Sequence, residues 1–164
     1  MKESQFQSEL THNIGKYYID CKIPYWYHKF PDMASKDWQS GKKPFDCMLC
    51  IEWLNIWMEL KSTLKLKSFS VDKVRWHQVY NLRKIKETWW NAWIIIYVTE
   101  FNTAAIFDVD RWVEISQQTT KATWSKSIKN NTLLLLADFT IKKDRLYWWD
   151  FLRLTRRRET SLDF

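Results

Sequence analysis

Glycine is nearly missing from this sequence, with two residues in 164, and proline appears three times. A chain so poor in glycine holds no glycine-rich loop of the kind that cradles phosphates. With 46% hydrophobic residues, it is neither disordered nor low in complexity. Cysteine is scarce too, at three residues, so no disulfide framework is expected. Cys47 and Cys50 form a C-x-x-C, but no second pair completes a zinc site. Their odd separation on a strand puts them on opposite faces, and we read them as reduced core cysteines. No Ser or Cys stands in a nucleophilic arrangement, and no internal repeat is visible. No apolar run approaches the length of a membrane span. The first twenty residues are polar, so no signal peptide is expected and the expected location is cytoplasmic.

Tryptophan, by contrast, is abundant, with twelve residues. Most are expected to anchor a core, and some to stack on bases. The formal net charge is +7, with a pI near 9.3, which suits a polyanionic partner. The length fits one domain spanning 1–164, with a basic tail at 153–164.

Pro44 to Ser62, PFDCMLCIEWLNIWMELKS, concentrates the chemistry. Asp46 is followed, after twelve residues, by Glu59-Leu60-Lys61. Both flanks are rich in strand formers, which predicts a hairpin with strands near 45–51 and 56–62. Glu59 and Lys61 then share a face, about 6.6–6.8 Å apart along the strand. A turn centred between Trp53 and Leu54 sets Asp46 opposite Lys61 on that face. Two carboxylates beside an ammonium suit a divalent cation and phosphoryl chemistry. The plain alternative is a solvated surface strand.

KPFDCML, WMELKS and FSVDKVRWHQVYNL together resemble the PD-(D/E)xK nucleases, over roughly Glu9 to Val109. Within them the chain is most similar to RecU-type and archaeal-type Holliday junction resolvases and their phage relatives. It departs from the bacterial RecU pattern between Pro31 and Pro44. The resemblance implies an α/β restriction-endonuclease-like fold, a mixed central sheet flanked by helices. It implies Mg²⁺, with Mn²⁺ as a substitute, held by Asp46, Glu59 and the Leu60 backbone carbonyl. Lys61 would position the nucleophile, with Gln78 assisting. A Glu from the N-terminal helix would complete the site, Glu9 being the match and Glu3 the alternative. The implied partner is branched DNA, a four-way junction, cut by a homodimer, in a bacterial host cell if the chain is phage-encoded. An end or flap nuclease and a non-catalytic DNA-binding protein are the alternatives.

Phe6, Leu10 and Ile14 at i, i+4, i+8 predict a helix in the stretch 3–20. Tyr17 to Phe30 has strand-like composition, broken at Pro24. Its aromatics interleave with Lys22, His28 and Lys29, which fits a surface that stacks bases and contacts phosphates and fits equally an edge strand whose aromatics face the core. Asp32 to Lys43 reads as a loop, and Thr63 to Lys67 as an extended basic connection. Ser70 is expected to cap a helix over 71–86, with a stripe of Val71, Val74, Leu82 and Ile85 on which Gln78 falls. Trp93–Val98 and Thr103–Val109 read as strands, and Asp110 as the cap of a short helix at 111–118. Thr119–Asn131 reads as a loop, Leu133–Phe139 as a buried run, and Leu146–Leu152 as strand or helix. The expected DNA contacts are Lys29, Lys42, Lys43, Lys65, Lys67, Arg75, His77, Arg156, Arg157 and Arg158, with Arg153 beside them in the tail.

Overall fold

A computed structural model describes residues 2–30, 44–52, 54–63, 67–88, 90–123 and 126–143. In chain order these form α1 (Glu3–Asp20), β1 (Tyr25–Lys29), β2 (Cys47–Ile51) and β3 (Leu54–Ser62). Then come β4 (Ser68–Ser70), a 3-10 turn (Val71–Lys73), α2 (Trp76–Glu87), β5 (Asn91–Val98) and β6 (Thr103–Asp108). The described part ends with α3 (Val109–Thr123), β7 (Ser127–Lys129), α4 (Asn130–Leu136) and β8 (Phe139–Lys142).

Among the described residues six strands make a mixed sheet in the order β1-β2-β3-β5-β6-β8, and β4 pairs β7 in a separate ribbon. Among the described strands only β3 and β5 run parallel, joined by the crossover through α2; the other described pairs are antiparallel. Helix α1 covers one face with Phe6, Leu10, Ile14 and Tyr18, all buried. Burying each of the Phe6, Leu10 and Ile14 side chains contributes about 1.5–3 kcal/mol. The other face packs Val79 and Leu82 of α2 and Trp112 and Ile115 of α3 over Ile94, Ile96 and Phe107. Strand β5 lies between these layers with Ala92 to Val98 all buried, which accounts for its unbroken apolar run.

The hairpin forms, but with a different register. Ile51 pairs Leu54 and Cys47 pairs Met58, so the turn is centred midway between Ile51 and Leu54, one residue earlier than expected. Glu52 adopts φ 50°, the left-handed conformation that a two-residue hairpin turn needs. Continued by one pair, that register sets Asp46 opposite Glu59 rather than Lys61. The slip is two residues, so all three side chains keep one face.

Other boundaries also differ. Residues 17–20 belong to α1, not to a strand. The helix expected over 71–86 is split: Ser70 precedes a 3-10 turn without a side-chain cap bond, Val74 is extended, and α2 starts at Trp76. Helix α3 starts at Val109 and runs to Thr123, well past the expected 118. The stretch read as a loop to Asn131 contains β7. Leu133–Phe139 is not a buried run; it is divided between α4 and β8, and Leu135 is 84% exposed. The stretch 146–152 lies outside the described residues.

Candidate active site

Strand β3 brings Glu59 and Lys61 into a nearly dry layer. Glu59 is 0% exposed and Lys61 7%. Asp46, also buried, sits just before β2 and extends the ladder past the strand's end. Its backbone N–H donates to the Met58 carbonyl at 3.1 Å, and its Oδ2 accepts from the Leu60 N–H at 2.8 Å. In an antiparallel strand the N–H and C=O of one residue share an edge, so the Leu60 carbonyl lies on the Asp46 side as well.

Glu59 is approached from two directions. Its Oε1 lies 2.5 Å from the Lys61 ammonium and accepts from Gln78 Nε2 at 2.5 Å. Gln78 reaches it from the first turn of α2. The Arg75 N–H donates to Gln78 Oε1 at 3.1 Å, which fixes the amide so that its NH₂ faces Glu59. The second carboxylate oxygen, Glu59 Oε2, is buried without a hydrogen-bond partner among the described residues.

An unpaired buried oxygen is costly when charged. Burial, with Asp46 nearby, pushes the Glu59 carboxyl up to about 8, against the pull of Lys61. Burial alone would lower the Lys61 ammonium, but Glu59, Glu3 and Asp46 outweigh it and hold it above its ordinary value. The two directions belong to one coupled pair, since a neutral Glu59 supports Lys61 less. The complete burial of Glu59 decides that its own direction is upward.

Two carboxylates, one with an orphaned buried oxygen, form a hard-oxygen donor set. Among the described residues no three His, Cys, Asp or Glu side chains gather as a metal cage. Two carboxylates still fit Mg²⁺, which usually keeps several waters beside one or two of them.

Glu9 does not join the group. Both its carboxylate oxygens bind Lys143, at 3.0 and 2.7 Å, whereas Glu3 meets Lys61 at 3.2 Å. Helical rotation of about 100° per residue explains the exchange. Glu3 falls within the stripe of Phe6, Leu10 and Ile14, one turn before it, while Glu9 points roughly a third of a turn away. The stripe itself was the signal that separates the two.

Among the expected DNA contacts, Lys29, Lys67 and Arg75 are exposed and His77 is half-buried. Arg75 and His77 flank Gln78 at the start of α2. Lys42, Lys43, Lys65, Arg153, Arg156, Arg157 and Arg158 lie outside the described residues. Thr63 and Thr99, which no motif singled out, clamp the chain just after β3. The Thr99 N–H donates to Thr63 Oγ1 at 3.0 Å and Thr99 Oγ1 to the Thr63 carbonyl at 2.8 Å. A cavity of about 400 Å³ between the start of α2 and α3 is lined by Val74, Trp76, Val79 and Trp112, and does not include Asp46, Glu59 or Lys61.

No protein-family model matches the chain, and no curated protein does. Among solved structures that match is Archaeoglobus fulgidus Hjc, a Holliday junction resolvase from an archaeal hyperthermophile. The two are 13% identical, over 62% of this chain and 78% of that one, with a TM-score of 0.38. A likeness of that size assigns neither fold family nor activity to this chain. No described helix is long and apolar enough to cross a membrane.

Proposed function

We propose that this chain is a Mg²⁺-dependent endonuclease that hydrolyses phosphodiester bonds in branched DNA, with the four-way junction as its substrate. The observation that carries the reading is the setting of Glu59. A fully buried carboxylate is held on one oxygen by Lys61 and Gln78 and has no partner for the other among the described residues, with Asp46 beside it. A core gains nothing from such a group, and perturbed carboxylates of this kind cluster at functional sites.

Asp46, Glu59 and the Leu60 carbonyl would hold Mg²⁺, which when bound acidifies water and neutralises charge on phosphoryl oxygens. Mn²⁺ is expected to substitute. The Lys61 ammonium orients the attacking water and meets the charge that develops on a non-bridging oxygen. Gln78 keeps Glu59 Oε1 occupied, which fixes the plane of the carboxylate. The basic surface supplies phosphate contacts that position the duplex without reading its sequence.

A junction has two-fold symmetry and needs two opposed cuts, so the active form is read as a two-fold dimer. Purified protein should cut a four-way junction in Mg²⁺, be inactive in EDTA, and bind without cutting in Ca²⁺. Preference for linear ends or flaps, with a monomer by light scattering, would replace the junction reading. Binding with no cutting in any metal would leave a DNA-binding protein.

A further inference from the structure

The face that carries Asp46 and Glu59 continues to the sheet edge in ordered rows. Trp26 pairs Cys50, which pairs Asn55; His28 pairs Met48, which pairs Trp57. Opposite residues of antiparallel strands share a face, so each trio forms one row. Extended by two residues along each strand, the same register gives a third row: Phe30, Asp46, Glu59. The link is physical, because the Phe30 N–H donates to the Asp46 carbonyl at 2.9 Å.

These rows form an aromatic path. The Trp26 and His28 rings stack with centroids 5.5 Å apart and planes 4° apart. Phe30 meets His28 edge-on at 4.7 Å, and also packs on Phe45 and Trp57. The path is open at its outer end, where Trp26 is 50% exposed and His28 is exposed. Met48, Cys50 and Asn55, behind them, are only half-buried. The opposite face of β1 behaves differently, with Tyr25 and Tyr27 packed into the core under α1.

We propose that this face is a stacking platform for an unpaired stretch of the nucleic-acid strand whose phosphate lies at Asp46 and Glu59. Flat aromatic rings stack bases without regard to sequence, and a paired duplex hides its base faces. The platform runs without a break into the carboxylate row, and a chain of net charge +7 attracts a polyanion. The inference rests on the nuclease reading for its orientation and sharpens it: bases at the branch point come unpaired next to the scissile bond when the junction is bound.

The test is fluorescence anisotropy in EDTA with labelled oligothymidylate and a labelled blunt duplex, on wild type, Trp26→Ala, Trp26→Phe and Trp26→Leu. Stacking on one aromatic accounts for roughly tenfold or more in affinity. Trp26→Ala and Trp26→Leu should therefore weaken oligothymidylate binding by about that factor and leave the duplex alone, while Trp26→Phe should restore most of it. Equal losses on both probes, or none, would overturn the platform, as would a change in mass by light scattering without a change in affinity. Cleavage in Mg²⁺ is read separately. Selective loss in a protein that cuts nothing keeps the platform and removes the nuclease reading. Cutting without selective loss does the reverse.

Discussion

Helix α2 carries a member of two carboxylate–lysine clusters, one near each end, and the two differ in kind. Near its C-terminal end, Lys86 lies 2.5 Å from Asp108 and 2.7 Å from Asp110, and Arg83 adds a contact to Asp110 at 3.1 Å. Those groups are partly exposed, and they suit the helix ends: a cation in the last turn of α2 and an acid in the first turn of α3. Lys86, with Arg83 behind it, holds Asp110 below the usual carboxylate range. In its first turn, Gln78 touches a cluster in which Lys61 lies as close to Glu59, yet Glu59 is pushed up to about 8. Both clusters set more than one acid around a lysine. Burial reverses the sign, and the cluster with the unsatisfied acid is where chemistry is to be sought.

The largest expected contrast is in rate. Asp46→Asn, Glu59→Gln or Lys61→Ala should reduce junction cleavage roughly a thousandfold or more, with binding changed only a few-fold. Lys86→Ala, which breaks the other cluster, should leave the rate within about two-fold and cost about 1 kcal/mol or less, as partly exposed pairs do. Initial cleavage rates at saturating enzyme decide it. Full-rate cutting by Lys61→Ala would remove the buried cluster from the mechanism.

The same contrast predicts opposite pH dependences of stability. In EDTA, folded Glu59 keeps its proton up to about 8, whereas the unfolded chain releases it near 4.5. Between those values the folded state binds more protons, so stability falls as pH rises through the window and then levels. Asp110 acts the other way: its contribution is present above its ordinary value near 3.8 and is lost as pH falls below it. Denaturant midpoints should therefore show a limb between about 4.5 and 8 that Glu59→Gln removes and Asp110→Asn does not touch. An identical limb in Glu59→Gln would assign it to another group.

How much of this was readable beforehand depends on which physics fixes each feature. Alternation in 54–62 is a local pattern, and it placed Glu59 and Lys61 on one face. The hairpin register was not local in that sense. It is set by the left-handed Glu52, and a chain with two glycines gives no Asn-Gly or Gly-Gly to mark the turn. The helix over 71–86 has an apolar stripe that crosses a real break, because Val71 is buried from a 3-10 turn and Val74 from the extended residue after it, not from α2. Gln78 was legible as a polar group on that stripe, but its second bond, to the Arg75 N–H, depends on the unforeseen helix start.

That second bond makes Gln78 the intermediate case. Gln78→Ala leaves Glu59 Oε1 with Lys61 alone and strips the Arg75 N–H of its acceptor. A residue that orients a ligand typically affects rate or metal affinity by about 10- to 100-fold when removed. The exposed bonding groups add about 1–3 kcal/mol of destabilisation. Gln78→Glu restores the acceptor but sets a carboxylate against Glu59, so it should recover stability at low pH and not the rate at neutral pH. Recovery of rate by Gln78→Glu would mean that the amide serves the helix start only.

The smallest effect separates Glu3 from Glu9. Both are partly exposed acids on α1, so each ion pair is worth little, about two- to five-fold at most in any equilibrium it touches. Their targets differ. Glu9 holds Lys143, outside the buried cluster, and Glu9→Gln should leave cleavage and its pH dependence unchanged. Glu3 touches Lys61, and its charge both supports that ammonium and pushes Glu59 up. Glu3→Gln removes one of the acids ion-paired to Lys61, so cleavage should drop a few-fold. It also removes a repulsion from Glu59, so the upper end of the stability limb should move to lower pH. A purely structural acid would shift neither the limb nor the rate. If Glu9→Gln moves the limb and Glu3→Gln does not, the helix presents the other acid to the site and the rotation argument fails.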